Sequence, residues 1–268
     1  MSDRNARVPV LLHHSVRAEP TPGYEAWETS PTGLRRQLDQ LDAAGFTPVP
    51  LPAYARWLRG ATGASLPERA VVITFDDGFA NFLDVAPLFV ERAWPVTMFV
   101  PTAYVGGGSD WLPPEFRRSM LTWSQILDLD RSGIEIGAHA HRHRPIDTLR
   151  PRELHDELTR SRDLLQERLG HACTSFAYPH GYNSRRVRAA VADASFAQAC
   201  AVQDAMSGAG DDPLAIARLF VGWSDVGERF DRLLVSGHRR RARHERMRTR
   251  GWRVYRRTRS RLVRHGEP

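Results

Sequence analysis

The chain has 268 residues, 41% hydrophobic and 26% charged, with a formal net charge of +7. That length suits one large domain with a single core. No apolar run approaches the length that spans a bilayer, which excludes a helical integral membrane protein. Two cysteines, Cys173 and Cys200, read most economically as reduced, buried thiols of a cytosolic protein, though the sequence leaves a pairing open.

Taken in chain order, short apolar runs alternate with amphipathic stretches, which predicts an α/β protein built from repeated β-α units. The residues from Met1 to Arg7 carry no apolar core of a secretory leader and run directly into a predicted strand over Val8–Leu12. Helices are predicted over Leu34–Ala44 and Pro52–Arg59, with a short strand at Thr47–Val49 between them. A buried parallel strand follows over Ala70–Phe75 and ends in Thr74-Phe75-Asp76-Asp77-Gly78. Adjacent side chains diverge along a strand, but at a strand-to-loop junction two carboxylates can converge. Their mutual repulsion would be relieved by a cation. A helix N-cap followed by a first-turn acid explains the same pair equally well.

A helix over Asn81–Arg92, a strand over Val96–Pro101 and a helix over Trp123–Ser132 come next. Gly106-Gly107-Gly108 reads as a flexible loop, since no Lys or helix signal makes it a phosphate loop. The strand Ile134–Ala138 runs into His139-Ala140-His141-Arg142-His143. If the chain turns after His139, then His139 and His143 can close on one ion, and imidazole with carboxylate suits Zn²⁺. Three protein ligands leave a coordination position for water, which is the catalytic arrangement. A surface His-Arg cluster is the plain alternative; the Asp-Asp strand end in the same chain tips the balance to a metal site. The remaining elements are a helix over Arg152–Leu169, strands at Ser175–Ala177, Gln198–Ala201 and Arg218–Val221, and helices over Ser184–Ala194 and Val226–Leu234. The mixed charges of Glu153–Leu169 read as a solvated outer helix, not a site. Every candidate site residue falls at or after a strand C-terminus, where a parallel barrel places its chemistry.

These motifs together resemble the polysaccharide deacetylases, the NodB-homology or carbohydrate esterase family four group. Thr74–Gly78 matches that family's T-F-D-D-G motif, and His139–His143 its H-[ST]-x-x-H motif, with Ala140 in place of the hydroxyl residue. Phe176-Ala177-Tyr178-Pro179-His180-Gly181 is similar to its third motif. The resemblance implies a distorted (β/α)7, TIM-like barrel over residues 8–236. It implies a hydrolase that removes N-acetyl groups from an N-acetylglucosamine-type glycan with metal-activated water. By its pattern Asp77, His139 and His143 hold the metal, zinc first, with cobalt, nickel or iron(II) as alternatives. Asp76 is the general base. Tyr178, Pro179, His180 and Trp123 belong to the oxyanion and substrate region, with the amide of His180 facing the oxyanion.

The chain departs from the commonest family form in two places. No histidine occurs between Leu214 and Val235, where many members carry the acid that protonates the leaving amine. Pro9-Val10-Leu11-Leu12-His13-His14 instead resembles the first strand of the rearranged exopolysaccharide and poly-N-acetylglucosamine branch, which assigns the general acid to His14. The third motif lacks its usual Arg, and Arg218 is the candidate replacement, against the plain reading of an ordinary surface Arg. An amidohydrolase for a small acetylated metabolite, or an impaired carbohydrate-binding or scaffold protein, are the alternatives. Residues 238–268 form a separate Arg-rich tail: 13 Arg against two Glu give it +11 and leave about −4 for the rest. A solvated tail, non-specific nucleic-acid contact and docking on an anionic membrane surface all fit that charge. The expectation is a cytoplasmic protein, peripheral at the membrane if the tail docks, with an N-acetylated glycan or lipid-linked sugar as substrate and no specific nucleic acid.

Overall fold

The structure, a computed structural model, describes residues 7–236. The Arg-rich segment 238–268 lies outside the described residues.

Eight parallel strands form the main sheet: β1 (Val10–His13), β2 (Thr47–Pro48), β3 (Ala70–Phe75), β4 (Thr97–Val100), β5 (Glu135–Ala138), β6 (Ser175–Ala177), β7 (Gln198–Cys200) and β8 (Leu219–Phe220). Their order is β7-β6-β5-β4-β3-β1-β8, with β2 also paired to β3. Leu219 and Phe220 pair with Leu11 and Leu12 of β1, while Ile216 bridges Cys200 of β7. The segment before β8 therefore touches both edges, and the sheet curls round into the distorted (β/α)7 barrel. The helices are α1 (Pro31–Ala43), α2 (Leu51–Leu58), α3 (Ala86–Val90), α4 (Trp123–Arg131), α5 (Pro151–Leu169), α6 (Arg185–Asp193) and α7 (Glu228–Ser236).

The strands bury alternate residues in two separate apolar clusters. Leu11, Val71, Ile73, Phe75, Met98, Val100, Ile136, Ala138 and Phe176 pack with the surrounding helices. Val10, Val72, Phe99, Ala177, Cys200 and Ile216 face the other way, into the barrel, with α2 at its end. This period-two division decides which side chains the strand ends deliver inward. Gly137 is on the inner set, and the ring of Phe99 lies 2.5 Å from where its Cβ would stand, so β5 can carry no side chain there.

Three predicted elements differ, and proline explains two of them. The strand predicted over Val8–Leu12 is split, with Arg7–Val8 pairing antiparallel to Ser207–Gly208. Pro9 has no N–H to give either ladder. The helix predicted over Asn81–Arg92 is a 3₁₀ turn, Ala80–Asp84, followed by α3. Pro87 cannot donate back to Leu83 and its ring would clash there, so the helix restarts with Pro87 in its first turn. Helix α1 begins at Pro31, earlier than expected, because the Ser30 side chain accepts from the Gly33 N–H at 2.9 Å and caps the helix. Cys173 and Cys200 are both buried and free, and burial pushes each thiol up to about 12. Among the described residues no helix is long and apolar enough to cross a membrane.

Candidate metal centre

Asp76 continues the inner set of β3, after Val72 and Thr74. Asp77 would by the same alternation face the helices. Its backbone instead turns left-handed, at φ 74°, as does Gly78 at φ 64°. That turn swings the second carboxylate back, so both acids meet the same histidine. His139 Nε2 lies 3.4 Å from Asp77 Oδ1 and 3.9 Å from Asp76 Oδ2. His143 Nε2 lies 3.1 Å from the same Asp77 oxygen. The three ligand atoms of Asp77, His139 and His143 all fall within 4.8 Å of one another, and all three residues are buried. His141 turns away, its Nδ1 2.9 Å from the hydroxyl of Thr102.

The donor set fits a divalent cation. His139 Nδ1 is 2.8 Å from the carbonyl of Ala177. A carbonyl only accepts, so that nitrogen carries a proton and Nε2 of the neutral ring presents a lone pair. A lone pair aimed at a carboxylate requires positive charge between them, either a proton or a metal. Burial alone would raise Asp77, but the facing His143 and His139 hold it well below the ordinary carboxylate range. Burial likewise opposes ionisation of Asp76, and Arg218 and His139 bring it below its ordinary value. Burial would lower His139, yet Asp76 and Asp77 raise it; His143 stays lowered, chiefly by burial.

Arg218 is wholly buried and grips Asp76 with two parallel bonds, Nη1 to Oδ1 and Nη2 to Oδ2, each 2.7 Å. Its remaining donors reach the Ala201 carbonyl at 3.0 Å and the Thr74 hydroxyl at 3.1 Å. The plain reading of Arg218 as a surface residue is therefore wrong. The segment that closes the barrel carries it into the interior.

Of the two histidines at the end of β1, His13 falls on the outer set and stacks on Phe75, ring centroids 4.9 Å apart. His14 falls on the inner set. Its charge is felt by Asp77, Asp76, Arg218 and His139; burial lowers its pKa, and the two carboxylates oppose that. Its Nδ1 is buried with no hydrogen-bond partner among the described residues. Burial holds His13 neutral down to about 3. In the unfolded chain it titrates near 6.5, so between those values the unfolded state binds the extra proton and stability falls as pH drops. Replacing His13 by Phe, which suits the stack on Phe75, should remove a penalty of about 2 kcal/mol at pH 5 and almost nothing at pH 8. Turnover should be kept by His13→Phe and lost by His14→Ala. Denaturant melts at the two pH values and steady-state kinetics check both halves; the reverse pattern of activity would give the inward role to His13.

The third motif divides in the same way. Tyr178 lies on the outer set, its ring fully buried against Phe176 and its hydroxyl donating to the Leu214 carbonyl at 2.6 Å. Its side chain is committed to the core and not to the metal cluster. Pro179 is buried, and His180 is exposed at φ 59° with its ring edge-on to His143, centroids 4.8 Å apart. The structure does not bring Trp123 to the cluster, since it packs on the core beneath the guanidinium of Arg168. The tryptophan that reaches the site is Trp111, stacked on His143 at 4.5 Å. One residue near the site is not anticipated by the motifs. Glu157 is buried on α5, in the helix expected to be solvated, and bonds to the loop between His139 and His143. Its place in the apolar stripe of Leu154, Leu158, Ser161 and Leu165 was the available signal.

A family model, polysaccharide deacetylase, matches residues 63–199, just over half of the chain. The chain belongs to the polysaccharide deacetylase family. It is 24% identical over 191 residues to the putative polysaccharide deacetylase YxkH of Bacillus subtilis, an alignment covering 70% of this chain and 62% of that protein. It is 32% identical over 116 residues to the poly-beta-1,6-N-acetyl-D-glucosamine N-deacetylase of Escherichia coli, covering 40% of this chain and 17% of that protein. The chain thus spans less than two thirds of either relative. Solved deacetylases share the fold. IcaB from Ammonifex degensii superposes with a TM-score of 0.73 at 23% identity, over 87% of this chain and 97% of that one. The Streptococcus pyogenes deacetylase PplD gives 0.73 at 20% identity, over 85% of this chain and 98% of that one.

Proposed function

We propose that residues 8–236 form a metal-dependent deacetylase that removes the acetyl group from an N-acetylglucosamine-type glycan. The observation that carries this reading is one juxtaposition. The Asp77, His139 and His143 ligand atoms lie within 4.8 Å of one another, and the Asp76 carboxylate stands 3.9 Å from His139. The named activity of the Escherichia coli relative supports the substrate class. A cation held by Asp77, His139 and His143, zinc by the chemistry of the donors, would polarise the acetamide carbonyl and lower the pKa of a water toward ~7.

The residues of the chain divide the proton transfers. Asp76, kept ionised by Arg218, takes the proton of the attacking water. Arg218 holds both carboxylate oxygens, which fixes the plane of the Asp76 carboxylate and so the orientation of its remaining lone pairs. The amide of His180 faces the oxyanion that forms at the carbonyl. His14 is neutral at rest, and its proton affinity rises as negative charge grows beside it. It then takes up a proton from solvent and delivers it to the departing amine nitrogen, while Asp76 returns the water's proton to solvent and is ionised again. Trp111, half-buried and packed on His143, Phe79 and Tyr104, is the aromatic side chain at the site that a sugar ring would meet.

The test is acetate release from a panel of N-acetylated oligosaccharides, β-1,6-linked N-acetylglucosamine included, and from lipid-linked sugars. Activity should vanish with a chelator and return with Zn²⁺. Asp76→Asn should keep the metal and lose ~10²–10⁴-fold in turnover, the usual worth of a general base. A protein that binds stoichiometric metal and releases acetate from none of these substrates would refute the reading.

A further inference from the structure

The loop that joins the two histidine ligands is held in a conformation its own residues do not favour. Ala140 has φ 59° and His143 has φ 51°, left-handed values that strain a non-glycine backbone. Ala140 has no hydroxyl with which to bond the loop internally. The strain must be held from outside.

Two elements supply that hold. On one side, the chain after β4 donates to the loop carbonyls: Thr102 N–H to Ala140 O at 3.4 Å and Ala103 N–H to His141 O at 2.8 Å. The Tyr104 hydroxyl donates to Arg142 O at 3.3 Å. On the other side stands a single carboxylate oxygen. Glu157 Oε2 accepts the N–H of His141 at 3.0 Å and that of Arg142 at 2.6 Å. Glu157 is 3% exposed, and its nearest cation is Arg142 Nη1, 3.9 Å from the other oxygen. A buried carboxylate with one distant cation is costly unless its hydrogen bonds are strong. Those bonds are to the two successive amides that lie between the metal ligands.

We propose that Glu157 is a positioning residue for the metal site, a clamp on α5 that holds the His139–His143 loop in its left-handed course and so sets where His143 Nε2 points. This rests on the metal reading of Asp77, His139 and His143. The metal affinity of a site depends on such outer partners, whose loss typically costs 10–100-fold. The clamp would also explain why a glutamate occupies an apolar stripe facing the barrel, where a leucine would give more packing.

The experiment measures the dissociation constant for Zn²⁺ by chelator competition on the full chain, with the cobalt-loaded protein as a spectroscopic check. Glu157→Ala should weaken Zn²⁺ binding 10–100-fold and change the cobalt d–d spectrum. Glu157→Gln, which keeps shape and one acceptor oxygen but not the charge, should fall between it and the parent. Leu165→Ala, a fully buried position about two turns further along the same buried stripe of α5, should lower thermal stability and leave the zinc constant unchanged. That control separates positioning from simple helix stability. Should Glu157→Ala fail to fold, Glu157→Gln decides: a zinc constant equal to the parent's overturns the proposal. A parent protein that binds no zinc would instead overturn the metal reading itself.

Discussion

Substituting His143 by Ala should leave a folded protein without its metal and without turnover. Its Nε2 stands 3.1 Å from Asp77 Oδ1, and among the described residues no other histidine is grouped with Asp77 and His139 to take over. His141 is two residues nearer to His139 in sequence, yet its Nδ1 is engaged by Thr102 and its pKa is lowered to about 4 by burial and by Arg160 and Arg142. His180 meets His143 ring edge to ring face and lies outside the cluster of ligand atoms. Loss of an outer partner already costs 10–100-fold in metal affinity, so loss of a ligand must cost more than that. Elemental analysis after dialysis should find about one equivalent of metal in the parent and in His141→Ala, and close to none in His143→Ala. Full occupancy in the His143 variant would mean that the cation sits elsewhere.

The inward and outward assignment of the site was latent in the strand periodicity. Counting by two from Val72 sends Asp76 inward, and from Gly137 it sends His139 inward. The same count separates His14 from His13, and Ala177 from Tyr178. The sequence pattern also located most strands to within a residue or two, because buried parallel strands are short, apolar and bounded by turn residues. What it did not disclose is where the alternation fails. Asp77 breaks it through a left-handed backbone that no residue type announces; Gly78 is the sole hint. The partner of Asp76 is 142 residues away, so no local spacing could pair it with Arg218. Nor could local spacing name the tryptophan at the site. Trp111 lies in a loop pinned by bridges of Met120 to Phe79 and of Ser119 to Gly108, and it was Trp123 that the motif resemblance suggested. Glu157 was hidden by the charged surface of its own helix.

Arg218→Met should be among the most damaging single changes outside the metal ligands. The guanidinium is wholly buried and meets a carboxylate that is 2% exposed. Removing one partner of such a pair leaves an uncompensated buried charge, at a cost of about 3–5 kcal/mol. The cost should depend on pH in a definite direction. In the parent, burial would raise Asp76 but Arg218 brings it below its ordinary value, so its stabilisation is present above that ordinary value and is lost only in stronger acid. In the variant, burial acts unopposed by the Arg and the folded pKa rises. The variant then gains stability where the carboxyl is protonated and loses it as pH climbs. The deficit should therefore be small near pH 4 and full at pH 7–8, and the acid limb of any residual activity should move to higher pH. The double variant Arg218→Met/Asp76→Asn should recover part of the lost stability at pH 7, since a neutral amide no longer needs the guanidinium. It should recover none of the activity. If the double variant is as unstable as the two single losses summed, the pair contributes only packing, and the orientation of Asp76 must be set by Thr74 and the β3 backbone alone.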